Sequence, residues 1–278
     1  MQYIEVTVHD YDSSEYHFAF PRISNDDYDL FWNQAEKGQT IFSLLAIYPL
    51  HDLVTRYPEF IDAWVLMGYN YQSIGRKVES FACFVTAYYL GRSSLPAGFN
   101  PKKHRISWLD IDNRPFLRAC HALATEYLDR EMPQDALDLY LFLLSVNPND
   151  NQGAREMICQ CYLALKQYRE FIALYKKTEE YALPAMDVSY ALALHANGMT
   201  DDARSWIRNY LTQYRYFWKE LSKKTHRKPS RMTEDLGFIS FDGSDAAYAY
   251  WKNHHRYWSQ VDGALDLVRE VLAEQKKR

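Results

Sequence analysis

The residues of this sequence that could do chemistry are scattered, and their spacing does not suit catalysis. His254 and His255 are adjacent, so they would point to different faces of a helix, and Cys159 and Cys161 would lie about 200° apart around one. The sequence has no phosphate loop, nucleophile elbow or zinc-protease motif of the forms G-x-x-x-x-G-K-S/T, G-x-S-x-G and H-E-x-x-H. We therefore predict that the protein is not an enzyme and has no catalytic residue, metal site or cofactor.

Two short stretches could each bring carboxylates together: residues 9–12, which read His-Asp-Tyr-Asp, and residues 110–112, which read Asp-Ile-Asp. Aspartates in turns more often accept hydrogen bonds from the backbone of the residues that follow them. We therefore interpret both stretches as turn-forming segments rather than as ligand sites.

A basic segment, residues 219–231, holds the densest charge in the chain. It sets six positive side chains against Glu220, whereas the whole chain has a net charge of −4. Phosphate-bearing partners, RNA included, could bind there, with Trp218 and the run 214–217 as stacking groups. Because runs of charge are usually just solvated, we do not expect nucleic acid as the main partner. The positive residues of this segment are Lys219, Lys223, Lys224, Arg227, Lys228 and Arg231.

The composition indicates a folded protein with a sizeable core. Hydrophobic residues make up 47% of the 278 positions and aromatic residues 16%, including 23 Tyr, some of which could line a binding surface. The four cysteines fall among apolar residues of predicted helices, so we expect buried free thiols. The first residues do not form a secretory signal, and no apolar run reaches the roughly 18 residues of a membrane span. We expect a cytoplasmic protein that does not enter the membrane.

The first 57 residues predict a β-hairpin followed by helices. Apolar residues alternate with polar ones at positions 4, 6 and 8 and again at 16, 18 and 20, on either side of a turn-rich segment. Residues 25–27 could cap a helix that ends near Lys37. The stretch 40–57 has a helical pattern but contains Pro49, so we expect a break there, with Pro49 in the first turn of a second helix.

Four pairs of amphipathic helices are predicted between residues 58 and 211, with a breaker-rich insertion at 91–112. Small residues allow two helices to cross closely, and large residues fill the gaps beside the crossing. The pairs at about 152–177 and 190–207 are degenerate. The first two pairs share one pattern of small and large residues: Trp64-x2-Met67-Gly68-x2-Tyr71 with Phe84 and Ala87, and Leu123-Ala124-x2-Tyr127 with Ala136 and Tyr140.

These patterns resemble the tetratricopeptide repeat (TPR) family over residues 58–211. The resemblance implies an all-α, TPR-like helical-hairpin superhelix (α-solenoid), to which the sequence adds a small N-terminal β-hairpin. Patches at 113–118, 147–153 and 243–265 also resemble the suppressor of tumorigenicity seven group of TPR-like proteins, which implies no defined activity. The expected domains are the hairpin at 1–25, the array at 26–213 with its insertion, and a basic linker with capping helices at 214–278.

In a TPR-like array, first-helix residues line a concave face that binds other proteins. The positions that TPR co-chaperones use as a Lys, Asn and Arg clamp hold other residue types here, so we do not expect that partner class. The Tyr, Arg, His and Gln side chains suit an extended or helical peptide, although the face could also be only solvated or covered by the insertion. The candidate partner-binding residues are Tyr69, Gln72, Arg118, His121, Thr125, Arg155 and Tyr162.

The sequence therefore predicts a non-catalytic, cytoplasmic and bacterial scaffold or adaptor that binds a partner protein or peptide on this face. The alternative is that it binds RNA or another anionic ligand through the basic segment. The identity of the partner and the oligomeric state stay open at this point.

Overall fold

The chain forms two compact units, residues 1–155 and 156–278. The computed structural model describes residues 3–9, 12–38, 44–230, 232 and 241–275. The first unit contains strands β1 (Glu5–His9) and β2 (Asp12–Ala19) and helices α1 (Asn25–Gly38), α2 (Leu44–Arg56), α3 (Ile61–Ser73), α4 (Lys77–Ser94), α5 (Arg114–Asp129) and α6 (Pro133–Val146). Helix α7 (Ala154–Ala164) begins at the end of this unit, and the second unit continues with α8 (Tyr168–Thr178), α9 (Pro184–Ala196), α10 (Thr200–Asn209), α11 (Arg215–Ser222), α12 (Ser244–Ser259) and α13 (Ala264–Gln275).

These elements confirm the predicted all-α, TPR-like class with a small β-hairpin. The two strands are antiparallel, and Val6 pairs with Phe18 and Val8 with Tyr16, as the alternation of apolar residues requires. Phe18 is fully buried and its ring stacks on that of Phe116 in α5, with 5.1 Å between the centroids. The hairpin is therefore stabilised by packing on the helices, which an isolated two-stranded sheet needs in water.

Asn113 ties the hairpin to the start of α5. Its Oδ1 accepts a hydrogen bond from the Phe18 amide at 3.0 Å, and its Nδ2 donates to the Tyr16 carbonyl at 2.9 Å. Asn113 is completely buried, so these bonds replace the water that its amide would otherwise need. A 3₁₀ turn at residues 111–113 precedes α5, and Asp110 caps it, because its Oδ1 accepts a hydrogen bond from the Asp112 amide at 3.1 Å.

Two predictions for the first helices are wrong in detail. The side chain that caps α1 is Ser24, whose Oγ accepts a hydrogen bond from the Asp27 amide at 3.2 Å. Helix α2 is continuous from Leu44 to Arg56, and Pro49 lies inside it rather than at a break. The helix tolerates the lost backbone hydrogen bond because burial of an apolar face outweighs it. The buried residues of that face are Ile47, Leu50, Leu53 and Val54.

The insertion at 91–112 is neither unstructured nor fully outside the helices. Helix α4 continues through Gly91 to Ser94, and the rest of the insertion packs on the hairpin. The Arg105 amide donates to the Ser14 carbonyl at 2.7 Å, and the Tyr16 amide donates to the Arg105 carbonyl at 2.9 Å. Ile106 is fully buried and its amide bonds to α6. Gly91 is not a helix breaker because its missing side chain makes room for the ring of Phe116.

Four turns among the described residues join paired helices with the same backbone geometry. Each places one residue in the left-handed region, with φ between 58° and 82°, and the next amide bonds to a carbonyl five residues earlier. This is the hydrogen-bond pattern of a Schellman motif, which satisfies the last carbonyls of the first helix. The left-handed residues are Gly75, Glu131, Lys166 and Gly198, and the bonds run from Arg76 to Tyr71, Met132 to Tyr127, Gln167 to Tyr162 and Met199 to Leu194.

The second unit is built around buried aromatic rings and a buried carboxylate. Trp218 and Trp258 are among its largest buried side chains. The hydroxyls of Tyr175 and Tyr214 both donate to the carboxylate of Asp187, and burial raises the pKa of that carboxyl. In this unit α10 ends at Asn209, and α11 is a separate helix.

The four cysteines all lie in described residues and are buried free thiols, as expected. Burial raises the pKa of Cys83 and that of Cys161 to about 12 each, so the reactive thiolate is scarce at neutral pH. No helix in the described ranges combines the length and the apolar character that crossing a membrane requires.

Gly91→Ala should destabilise the protein, although alanine is the better helix former. The added methyl carbon would lie 2.2 Å from Cδ2 of Phe116, a ring that is fully buried between neighbours. We expect a loss of about 1–3 kcal/mol in the free energy of unfolding, measured by urea denaturation. Gly98→Ala is the matched control, because no described atom lies within 4 Å of its added carbon. Equal stability of the two variants would contradict this packing.

Acid should destabilise the protein through His254 in α12. This residue is buried, its Nδ1 lies 3.1 Å from the Tyr250 carbonyl oxygen, and burial lowers its pKa to about 4. The unfolded chain binds a proton below pH ~6.5, whereas the folded chain does so only near pH 4, so stability falls over that interval by up to about 3 kcal/mol.

The His254→Gln variant should lose less stability than the parent chain between pH 7 and pH 4, measured by denaturant titration at each pH. His255→Gln is the matched control, because His255 is the exposed neighbour. If the two variants keep the same pH dependence as the parent, His254 is not the titrating group.

Candidate functional site

The candidate site in the first unit is the surface that α3 and α5 contribute, here called the first-helix face. It consists of Tyr69, Gln72, Arg118, His121 and Thr125. Helices α3 and α5 each pack on α4 and also contact one another, so their side chains come together although they are about fifty residues apart in sequence. The face therefore groups five of the seven predicted partner-binding residues.

Arg118 is held in one orientation by an ion pair and an aromatic ring. Its Nε donates to Oδ1 of Asp62 at 2.8 Å, and its terminal nitrogen donates to Oδ2 at 2.5 Å. Asp62 is buried, which raises the pKa of its carboxyl, and the guanidinium opposes that rise. The ring centroid of Trp108 lies 5.9 Å from the Arg118 guanidinium. A bidentate pair of this kind fixes the plane of the guanidinium.

Trp108 is a residue of this region that the sequence analysis missed. It belongs to the insertion and contacts two arginines of α5, Arg114 at 5.3 Å and Arg118 at 5.9 Å from the ring centroid. The Trp108 carbonyl also accepts a hydrogen bond from Nε of Arg114 at 2.9 Å. The insertion therefore reaches the edge of the first-helix face. The sequence signal that could have identified Trp108 is a single tryptophan in a stretch rich in helix-breaking residues.

Glu126 links α3, α4 and α5 beneath the face. It is buried, and its carboxylate accepts hydrogen bonds from Nε2 of Gln72 at 3.3 Å and from Nε of Arg130 at 2.8 Å. Arg130 in turn donates to the Lys77 carbonyl at 2.7 Å and covers the ring of Phe81. The position of Gln72 is thus set by a network rather than by solvent.

The remaining side chains of the face differ in how far they are available to a partner. Tyr69 is 41% exposed, with its ring edge-on to Phe84. His121 is half-buried against Tyr140, and desolvation lowers its pKa. The hydroxyl of Thr125 already bonds to the Tyr140 hydroxyl at 2.7 Å. Tyr69, Gln72 and His121 are therefore the residues of this face that offer contact area.

The last two predicted residues lie in α7, one in each unit. Arg155 pairs with Asp150 at 3.2 Å and donates to the Pro148 carbonyl at 2.6 Å. Asp150 also accepts a hydrogen bond from the Ala154 amide at 2.6 Å, which caps the start of α7. Tyr162 is half-buried against the core of the second unit, and desolvation raises its pKa.

The basic segment is only partly open to a ligand. Lys223 and His226 both contact the buried carboxylate of Glu220, and the His226 ring stacks on Trp251 with centroids 3.6 Å apart. Lys219, Lys224, Arg227 and Lys228 are exposed, and Arg231 lies outside the described residues. Of the aromatic groups proposed to stack on nucleic acid, Tyr214, Phe217 and Trp218 are buried, whereas Tyr216 is half-buried.

Two cavities in the described residues differ in size. The one in the second unit, beside Tyr250 and His254, has a volume of about 190 Å³, below the roughly 300–1,000 Å³ of typical ligand pockets. The one in the first unit, about 570 Å³, is lined by Tyr3, Glu59 and neighbouring residues. Glu59 is buried there, and the Arg22 guanidinium compensates its charge at 3.4 Å.

Comparisons with known proteins agree with this architecture. The sequence model of the Tcf25 family, described as transcriptional repressor TCF25, matches residues 44–262. Comparison with the sequences of curated proteins finds no match. The match is to Tcf25 and not to the suppressor of tumorigenicity seven group, so that finer resemblance stays a prediction from the sequence.

Among solved structures, the MamA protein superimposes with a TM-score of 0.50 and 16% identity, covering 73% of this chain and 97% of that one. The TPR protein YrrB, whose structure is described as having an unusual peptide-binding site, gives a TM-score of 0.48 and 15% identity, covering 84% of this chain and 100% of that one. At such identities the likeness to MamA supports the fold alone.

The ion pair at the centre of the first-helix face predicts a strong stability effect. Arg118→Met should leave the buried Asp62 carboxylate without its counter-ion and cost about 3–5 kcal/mol at pH 7, measured by denaturant titration. Loss of the guanidinium also raises the folded-state pKa of Asp62. The deficit should therefore shrink as the pH falls, because the folded carboxyl then takes up its proton before the unfolded one.

Asp62→Asn combined with Arg118→Met is the control for this effect. The double variant removes both charges and should recover most of the lost stability. If it is as unstable as Arg118→Met alone, then the cost comes from lost packing and not from the stranded charge.

Proposed function

This chain belongs to the Tcf25 family, and on that premise we propose that it is a non-catalytic scaffold that binds a partner protein or peptide on the first-helix face. One observation carries this proposal. Partly exposed Tyr69 and exposed Gln72 lie on the same face as an arginine that is already fixed by Asp62. Tyr and Arg dominate the residues that supply binding energy at interfaces, and side chains that are ordered beforehand lose less entropy on binding.

The face suits a peptide or helix better than a small molecule. It presents aromatic, amide and imidazole groups on neighbouring helices rather than an enclosed pocket, and such a surface contacts a partner at several points. This is the argument for a binding role.

The family description suggests the class of partner. Tcf25 is described as a transcriptional repressor, so the partner that we propose is a protein that acts in transcriptional repression. On this view the chain brings other proteins together and does not itself contact the bases of DNA. The cytoplasmic location and the bacterial origin expected from the sequence remain predictions, as does the division into domains at residues 25 and 213.

Binding of RNA or another anionic ligand through the basic segment is the second candidate. Its support is the set of exposed cations at 219, 224, 227 and 228 on one short stretch. Its weakness is that three of the adjacent aromatic residues, Tyr214, Phe217 and Trp218, are buried and cannot stack on bases. Electrostatic attraction alone would give binding that is non-specific and strongly dependent on salt.

Site-specific photo-crosslinking tests the first-helix face directly. A photoreactive phenylalanine analogue at position 69 should trap the partner in cells, whereas the same group at position 78 should not. Val78 is the matched control because it is 76% exposed but lies on α4, the second helix of the pair. The trapped protein is then identified by mass spectrometry and purified.

Affinity measurements with that partner complete the test. Tyr69→Ala with Gln72→Ala should weaken binding at least about tenfold, whereas Val78→Ala should leave it unchanged. Arg118 is not used, since its loss would destabilise the fold. The proposal fails if the double variant binds the partner as tightly as the parent chain, while the affinity drops steeply with salt and on neutralising Lys224, Arg227 and Lys228. That is the result expected for binding through the basic segment.

A further inference from the structure

His9, His17 and Asp110 form a cluster at the junction of the hairpin and the insertion. Nδ1 of His17 lies 2.6 Å from Oδ2 of Asp110, and Nε2 of His9 lies 3.4 Å from the same oxygen. One ligand atom from each residue falls within 4.8 Å of the other two. All three residues are half-buried, with 16–29% of each side chain exposed. Two imidazoles and a carboxylate thus converge on one point.

The strand register accounts for the positions of the two imidazoles. His17 pairs with Thr7, so both point to the face of the hairpin opposite to Tyr16 and Phe18. His9 is two residues beyond Thr7 and shares that face. The pairing register of the two strands is irregular between Val8 and His9. The pleat therefore places both rings on the face of the hairpin where Asp110 lies.

The insertion supplies the carboxylate already oriented. Oδ1 of Asp110 accepts the Asp112 amide at 3.1 Å, which fixes the side chain and directs Oδ2 towards the imidazoles. The main chain of the insertion is itself fixed to the hairpin through the bonds of Arg105 to Ser14 and Tyr16. The cluster is therefore built on three anchored segments and not on flexible surface side chains.

We propose that His9, His17 and Asp110 bind one zinc-like divalent cation. Zinc binds imidazole nitrogen and carboxylate oxygen at about 2.0–2.2 Å, and tetrahedral geometry then sets neighbouring ligand atoms about 3.3 Å apart. The His9–Asp110 separation of 3.4 Å already matches, and the His17–Asp110 hydrogen bond must widen by about 0.7 Å. Imidazole with one carboxylate suits Zn²⁺, whereas sites for Ca²⁺ and Mg²⁺ consist of oxygen ligands.

Three protein ligands leave a fourth position on a tetrahedral ion. Because the cluster is partly exposed, that position is open to water or to a ligand atom from another molecule. The cation would join β1, β2 and the insertion, which are otherwise connected by backbone bonds and the Asn113 amide. This site is separate from the first-helix face, so its existence does not depend on the proposed function. It departs from the expectation, drawn from the sequence, that the chain has no metal site.

Metal titration of the full chain, without an affinity tag, tests the proposal. Zn²⁺ should bind with a stoichiometry of one by calorimetry and should raise the midpoint of thermal unfolding. His9→Ala and Asp110→Asn should each weaken binding beyond the roughly 10–100-fold that loss of an outer-shell group costs. Asp110→Asn keeps an oxygen for the Asp112 amide, so the turn should survive. His51→Ala is the matched control, since His51 is an exposed histidine on α2.

A second measurement does not depend on the variants folding. In the unaltered chain, Zn²⁺ should protect His9 and His17 from modification by diethyl pyrocarbonate, while His51 stays reactive, as read by mass spectrometry. The site is supported if both ligand histidines are protected and both variants lose affinity. It is overturned if Zn²⁺ does not bind, if protection is the same at all three histidines, or if the variants bind as tightly as the parent chain.

Discussion

The close approach of glycine backbone to buried aromatic rings is the constraint on which the first unit depends. A methyl carbon at Gly68 would lie 2.5 Å from the ring of Phe84, and one at Gly91 would lie 2.2 Å from the ring of Phe116. These contacts bring α3 against α4 and α4 against α5 at distances that a larger residue would prevent. Because α4 is packed between them in this way, α3 and α5 can present their side chains on one face.

The elements that could be predicted from the sequence are those with a regular period and a local signal. The alternation at 4–8 and 16–20 predicted the hairpin, and the TPR-like spacing predicted the paired helices. The predictions that were wrong concern single residues whose local preference is outweighed by packing. Pro49 remains inside α2 because one face of that helix is buried, and Gly91 continues α4 because a ring occupies the space beside it.

The candidate site was harder to predict, since its contacts join distant segments. Arg118 and Tyr69 were identified from their place in the repeat, but the ion pair of Arg118 with Asp62 and the neighbouring Trp108 follow only from the packing of the insertion. His17 and Asp110 are 93 residues apart, so no spacing rule connects them. In the aromatic run at 214–218, the sequence alone does not say that Tyr214, Phe217 and Trp218 are buried whereas Tyr216 is half-buried.

The hydrogen bonds of Asn113 have a consequence for how much of the chain is needed for folding. The family match begins at residue 44, yet the buried amide of Asn113 obtains two of its partners from residues 16 and 18. A fragment trimmed to the matched region would leave that amide unsatisfied in apolar surroundings and would uncover the ring that Phe18 shields. Such a shortened recombinant protein would then be insoluble because it lacks the two strands. The smallest part of the chain that folds on its own would be longer than the region that the family model matches.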